Sequence, residues 1–308
     1  MAPVTLRRIL MFAMVSMAGA AGPGHAAGPP PREIAHGFLA TGGETYLMDG
    51  GGRLAWRYPH ASRDGWVLPD GHVLLALNKD PANPGGSVVE VDRDGRALFE
   101  FKGTQSEVNT VQPLAGGRVL LTEAGDRPRL LEVDRQGRIL VDVPIQAQTR
   151  DHHLQTRMAR KLGNGNYLVP QLLDKVVREY TPGGKIAWEA KTPDMPFTAI
   201  RLADGNTLVG CTVGNTVVEL DPKGAIAWRV GNDDLPGRPI SDACGVQRLA
   251  NGNTVIASYR AGGDAIKLLE VTPAKEVVWT HRDPKRPGIH HFQILGPDLK
   301  APESAPLR

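Results

Sequence analysis

Cysteine is nearly absent from the chain: Cys211 and Cys244 are the only two in 308 residues. They permit one disulfide or two free buried thiols, and one bridge is not a scaffold, so the core must hold the fold. Helical signal is missing too. No stretch sustains a 3.6-residue apolar period, and the short MARKL run falls inside a different repeat. Beyond the first 26 residues no apolar run approaches the roughly 20 residues a membrane span needs. No window is a basic tract, which excludes the electrostatic footprint of a nucleic-acid or anionic-membrane binder. No His-x-x-x-His or Cys-x-x-Cys spacing occurs, so no metal centre is expected.

What is present begins with MAPVTLRRILMFAMVSMAGAAGPGHA. Two arginines, an apolar run from Ile9 to about Ala21 and small residues at Gly24 and Ala26 read as a secretory signal cut after Ala26. A membrane anchor is the alternative, and the run is short for one. Arg7 and Arg8 also resemble, weakly, a twin-arginine export signal. The expected location is periplasmic or secreted. Cleavage removes two arginines and no acid, so the formal charge falls from +3 to +1. Residues 27–34 form a Pro-rich lead, 35–296 a single domain and 297–308 a tail. With 36 glycines, 25 prolines and 41% hydrophobic residues, the composition is that of a globular protein rich in turns.

Internal repetition is the strongest signal. VVEVDRDGRALFEF (88–101) returns as LLEVDRQGRILVDV, VREYTPGGKIAWEA, VVELDPKGAIAWRV and LLEVTPAKEVVWTH, with a worn copy from Tyr46. All align on Trp56, Phe99, Val141, Trp188, Trp228 and Trp279. A turn residue stands seven positions earlier each time: Asp49, Asp92, Asp134, Thr181, Asp221, Thr272. A second phrase, as in LPDGHVLLAL and LANGNTVIAS, alternates with the first and is anchored by Leu68, Leu114, Leu162, Leu202 and Leu249.

Each phrase is two β-rich runs around a Gly, Asp, Asn or Pro turn, an antiparallel hairpin. Four strands per 40–50 residues match a β-propeller blade. The last copy ends in one more inner-strand phrase, IHHFQILG, with no second strand after it. HGFLATGG near the start looks like that strand, so residues 37–58 supply strands B, C and D of the blade whose strand A is 289–295. The reading is all-β: six four-stranded antiparallel blades, with a twelve-plus-twelve-strand sandwich pair as the alternative. The aligned aromatics are expected between blades, as core.

In a propeller the D-to-A and B-to-C loops open on one face above the channel. Two D-to-A connections are long, at 21 residues between landmarks (141 to 162 and 228 to 249). They carry QAQTRDHHLQTR and GNDDLPGRPISDAC. His152 and His153 lie in the first, and His290 and His291 begin the closing strand on the same face. Arg157 is aligned with His291, and the other strand-A starts are Asp64, Asn109, Thr198 and Cys244. Tyr259 and Arg260 lie at a B-to-C loop beside Asp242.

Such a rim can bind an anionic or hydroxyl-rich ligand, and histidine can act there as acid or base. Arg157, His153, His290, His291, Asn109, Asp242 and Arg260 are the expected ligand-binding residues. His290, His291, His152, His153, Arg157 and Tyr259 are the candidates for catalysis. The plain alternative is that each satisfies exposed loop backbone. At most one of His290 and His291 can face the channel, because neighbours on a strand point to opposite faces. The expected partner is a small polar molecule or a saccharide, bound by a monomer, with no nucleic acid and no membrane span.

RLANGNTVIAS alternating with VVELDPKGAIAWRV resembles the pyrroloquinoline quinone (PQQ)-like propeller repeat, and still more the repeats of arylsulfotransferase-like bacterial propellers, over roughly residues 35–295. The matching residues are turns and core, so the resemblance speaks for fold more than function. Quinoprotein dehydrogenases of the superfamily have eight blades, adjacent ring cysteines and a calcium site. This chain has separated cysteines and no such constellation, so neither PQQ nor another cofactor is expected. Arylsulfotransferases use a channel histidine as a transient sulfate carrier, for which His290 or His291 with Arg157 and His152 or His153 are the matching types. Some polysaccharide lyases pair His with Tyr, as Tyr259 and a rim histidine can.

Overall fold

The computed structural model describes residues 34–296 and 298–301. The expected signal peptide, the lead up to residue 33 and the tail beyond 301 lie outside the described residues. No helix among them is long and apolar enough to cross a membrane.

The chain opens with β1 (Gly37–Gly42), β2 (Thr45–Met48) and β3 (Leu54–Tyr58). Next come β4 (Ser62–Val67), β5 (Val73–Leu77), β6 (Ser87–Val91) and β7 (Ala97–Lys102). A third group is β8 (Glu107–Pro113), β9 (Val119–Ala124), β10 (Arg129–Val133) and β11 (Ile139–Pro144). A fourth is β12 (Arg160–Lys161), β13 (Tyr167–Gln171), β14 (Val176–Tyr180) and β15 (Ile186–Lys191). The fifth is β16 (Pro196–Arg201), β17 (Thr207–Cys211), β18 (Thr216–Leu220) and β19 (Ile226–Gly231). The sixth is β20 (Ala243–Arg248), β21 (Thr254–Ser258), β22 (Ile266–Val271) and β23 (Val277–Arg282), after which β24 (Ile289–Leu295) ends the series.

The fold is all-β, a propeller arrangement of antiparallel sheets with only two short 3-10 turns among the described residues. Hydrogen bonding gives four sheets of four strands and one of eight, not the six separate sheets that the repeat leads one to expect. One contact makes the difference. At the end of β1 the register slips between Thr41 and Gly42, and Gly42, at φ 145°, pairs with Ser62 of β4. That bridge fuses β24-β1-β2-β3 to β4-β5-β6-β7. The complementary ends do meet: β24 pairs antiparallel with β1 from Gly37–Leu295 to Thr41–His291.

Local chemistry explains the repeat. The carboxylates of Asp49, Asp92, Asp134 and Asp221 each accept two backbone N–H groups inside their own hairpin turn, at 2.8–3.0 Å. The hydroxyls of Thr181 and Thr272 take one such bond, from Lys185 and Glu276. In the other hairpin Leu68 donates its N–H to His72 and accepts from Gly71, whose φ of 90° no β-branched residue would tolerate.

The second strands of the groups, such as β1, β5, β13 and β21, are buried throughout, whereas outer strands such as β3 and β11 meet solvent. Six apolar clusters lie between successive four-strand groups, for example Leu74, Val88 and Phe99 against Val111 and Leu131. Opposite each of the six aligned residues except Trp56 stands a glutamate: Glu90, Glu132, Glu179, Glu219 and Glu270. The first four receive a cation from the following group, respectively Arg135, Lys161, Arg201 and Arg248, and Glu270 hydrogen-bonds His36 Nε2 at 2.6 Å. Trp56, Trp188 and Trp228 donate their indole N–H to carbonyls there.

Around the axis, adjacent inner strands form no ladder among the described residues beyond a single bridge between Met158 and Thr198, so their edge N–H groups need other partners. Side chains supply them. Gln293 accepts from Val67, Asp64 from Val111, Gln112 from Lys161 and Gln247 from Ile294, at 2.8–3.1 Å.

Candidate functional site at the channel mouth

Five inner strands carry the same irregularity near their start. The pairing register skips a residue between Ser62 and Asp64, Val108 and Thr110, Pro196 and Thr198, Ala243 and Val246, and at His290 of β24. In the fourth group Arg157 takes this place: its N–H reaches Pro170 at 3.4 Å, and Thr110 Oγ1 donates to its carbonyl. The regular strand there, β12, starts only at Arg160. The displaced residues Arg63, Asn109, Arg157, Phe197, Cys244 and His290 all stand five positions before Leu68, Leu114, Leu162, Leu202, Leu249 and Leu295. Arg157 is therefore equivalent to His290. Aligning it with His291 mixed offsets of five and four, an error of one residue that a bulge makes easy.

Two polar tiers result. The deeper one centres on Asp64, fully buried, which accepts from Arg160 at 2.9 and 3.3 Å and lies 3.2 Å from His291 Nδ1. Asp64, Arg160, His291 and the capped Val111 come from four different inner strands, and strands from four groups meet only at the axis. His291 thus belongs to this axial tier, with Asp64 as its partner.

The upper tier is unbalanced. Arg63 lies 3.2 Å from Glu107, which also takes His153 Nδ1 at 3.1 Å and Lys79 at 3.6 Å. Burial alone would raise the Glu107 carboxyl, but the His153 hydrogen bond and the charges of Arg63 and Arg157 outweigh it and hold the group at about 2. Arg157 is 1% exposed and keeps no carboxylate of its own. Nη1 donates to the Thr156 carbonyl at 2.7 Å, and Nε has no hydrogen-bond partner among the described residues. Burial, reinforced by the neighbouring Arg63, pushes its guanidinium down to about 9, still charged at neutral pH.

His290 sits edge-on to Phe197 at 4.4 Å and to Tyr259 at 4.7 Å, with Nδ1 3.4 Å from the Arg63 carbonyl. Burial, then the charges of Arg157 and Arg63, keep its imidazole neutral, well below the usual histidine range. Asn109 is fully buried, and neither amide atom has a partner among the described residues.

Not every expected residue joins this cluster. Asp242 and Arg260 pair with each other at 2.7 Å and so neutralise themselves on the Cys244 side. His152 turns to Ser106 and Asp126. His153 reaches the upper tier through Glu107, so the two histidine pairs share a face without touching. Cys211 and Cys244 are buried and unbridged, with thiols pushed up to about 12 by burial. Asp70, His72 and Glu90 form a group with ligand-like spacing on the blade seam, but Arg135 already holds Glu90 at 2.5 Å. Arg63, Glu107, Lys79 and Phe197 were missed. Counting five back from each anchoring leucine would have found Arg63 and Phe197.

No known family profile matches the chain, and neither does any curated protein. Among solved structures, a protein of unknown function from Bacteroides caccae is 23% identical, covering 89% of this chain and 100% of its own, with a TM-score of 0.74. A streptogramin B lyase is 17% identical over 80% of this chain and 74% of its own, at 0.54. A catalytically inactive histidine-to-alanine virginiamycin B lyase from Staphylococcus aureus, with quinupristin, is 12% identical over 85% and 93%, at 0.57. At these identities the likeness is one of fold, and it supports the all-β propeller.

Proposed function

We propose that the protein is an exported, monomeric propeller that binds a small polar molecule or saccharide bearing an anionic group at the channel mouth. The eight-stranded sheet then counts as two blades hinged at Gly42–Ser62, six in all, as the cycle of six apolar clusters suggests. The observation that carries the reading is Arg157. A buried guanidinium beside a second arginine, with no carboxylate of its own, is unfavourable in the empty protein. A ligand anion would complete it, with Asn109 and Arg63 as further donors and Phe197 and Tyr259 as an apolar wall. The side chains suffice for this, without PQQ or another cofactor.

The test is a thermal-shift screen of the purified protein with uronic-acid saccharides, sulfated aryl esters and small carboxylates. A ligand at about a hundred times its dissociation constant adds near 2.7 kcal/mol. Stabilisation by at least one anionic compound, abolished in Arg157→Gln, supports the reading; stabilisation by none, or equal stabilisation of the variant, defeats it.

A second reading is favoured by His290, neutral and in contact with Tyr259. A neutral imidazole beside a phenol is a general base with an acid at hand, as transfer or lyase chemistry requires. Under that reading His290→Ala loses nearly all turnover on a bound ligand while keeping affinity; under simple binding it loses only part of the affinity.

A further inference from the structure

We propose that Ser106 is a reactive nucleophile with His152 as its base, and that the protein cleaves activated esters there. Ser106 Oγ lies 2.8 Å from His152 Nδ1, and His152 Nε2 lies 3.1 Å from Asp126 Oδ1. The carboxylate accepts the Nε2 proton and so selects the tautomer whose Nδ1 is bare, the nitrogen that faces the serine hydroxyl. The hydroxyl, the base and the group that orients the base thus stand in one chain.

The base is held in place. His152 opens a single 3-10 turn, His152–Leu154, capped by Asp151, whose carboxylate accepts the His153 N–H at 3.0 Å. His153 in turn grips Glu107, so the paired histidines clasp two consecutive residues, Ser106 just before the inner strand β8 and Glu107 at its start. The site is open to a reactant: Ser106 is half-buried and the His152 side chain is 33% exposed. Asp126, at 95% exposed, orients the ring but contributes little by its charge, so it is a positioning residue and the serine–histidine contact carries the chemistry.

In the first step Ser106 Oγ bonds to the acyl carbon while its proton passes to His152 Nδ1, and the bond to the leaving oxygen breaks with its electron pair. The leaving group takes the His152 proton, or departs as an anion while His152 gives that proton to solvent, so the imidazole is a free base again. Water then adds to the acyl carbon, giving a proton to His152, and Ser106 leaves and recovers it. Esters of acidic alcohols and phenols suit the site, because their leaving groups need little stabilisation. This inference is independent of ligand binding at Arg157, and the two fail separately.

The experiment treats the full chain at neutral pH with an alkyl fluorophosphonate, maps the adduct by peptide mass spectrometry and follows p-nitrophenyl acetate cleavage. The expected result is an adduct on Ser106, absent in Ser106→Ala, and labelling and cleavage slowed at least tenfold in His152→Gln at an unchanged melting temperature. Asp126→Asn should slow both less than His152→Gln does. An intact protein without adduct on Ser106, or rates unchanged in His152→Gln, overturns the proposal; mapping the intact protein does not depend on any variant folding.

Discussion

If Arg157 is kept for a ligand, removing its charge should make the empty protein more stable. Burial and Arg63 together bring the guanidinium down to about 9, a drop of more than three pKa units. At about 1.4 kcal/mol per unit, holding that charge costs the fold on the order of 4–5 kcal/mol at neutral pH. Against this stands one charged hydrogen bond, Nη1 to the Thr156 carbonyl at 2.7 Å, worth ~1.5–3 kcal/mol. Arg157→Met keeps most of the volume and removes both terms, so the variant should gain about 1–3 kcal/mol. For a domain of this size each kcal/mol is worth roughly 2–4 °C.

The sign can be checked with pH. A base whose folded pKa lies below its unfolded one is destabilising while charged in the fold, and that burden lifts as pH rises past the folded value. The gap between wild type and Arg157→Met should therefore be full at pH 7 and narrow above about pH 9. Urea unfolding at pH 7 and pH 10, without ligand, measures both. A variant less stable than wild type by 1 kcal/mol or more at pH 7 would make Arg157 a structural cation and remove the case for an anion site.

Three further outcomes follow from the same geometry. The Glu107 carboxyl sits at about 2 in the fold, so its stabilisation is complete above the ordinary carboxylate range and lost as pH falls from about 4.5 to 2. Allowing for solvent at the mouth, wild type should lose about 1–2 kcal/mol more than Glu107→Gln over that interval in acid-dependent urea melts. His290, neutral because its pKa is depressed, makes stability fall as pH drops below about 6.5, and His290→Asn should flatten that slope. Truncation after Gly288 removes β24, leaves β1 without its ladder partner and bares Phe38, Tyr46 and Leu268; the product should be aggregated, and a soluble, cooperatively melting one would contradict the closure.

The legible parts of this chain were those enforced residue by residue. Asp92 and Asp221 read as turns because their carboxylates replace backbone partners within five residues, and no distant contact can change that. Closure was legible because β24 and β1 are complementary halves of one pattern. The fusion at Gly42–Ser62 was not, since it rests on one bridge that no composition signals. Nor was the Glu90-to-Glu270 series, although aligned copies display it, because a buried acid looks like an exposed one until the next group of strands supplies its partner. In the site, His152 was grouped with the channel on residue type, but its partners are Ser106 and Asp126, not the residues of the upper tier.

The bulge explains why one repeat can be both a uniform core and a chemically varied mouth. A regular inner strand alternates its side chains between the two blade faces, so a polar residue at every second position would have to be buried in apolar clusters. Slipping the register by one near the strand start frees a single position per blade from that alternation. At that position the chain carries Arg63, Asn109, Arg157, Phe197, Cys244 and His290, six different residues, whereas five positions on it repeats leucine without exception. Above a tier in which Asp64 already meets Arg160 and His291, the unpaired position brings the buried guanidinium groups of Arg63 and Arg157 close enough to repel, with Glu107 as the carboxylate between them. Under the reading proposed above, a ligand's anion is the partner that would complete this arrangement.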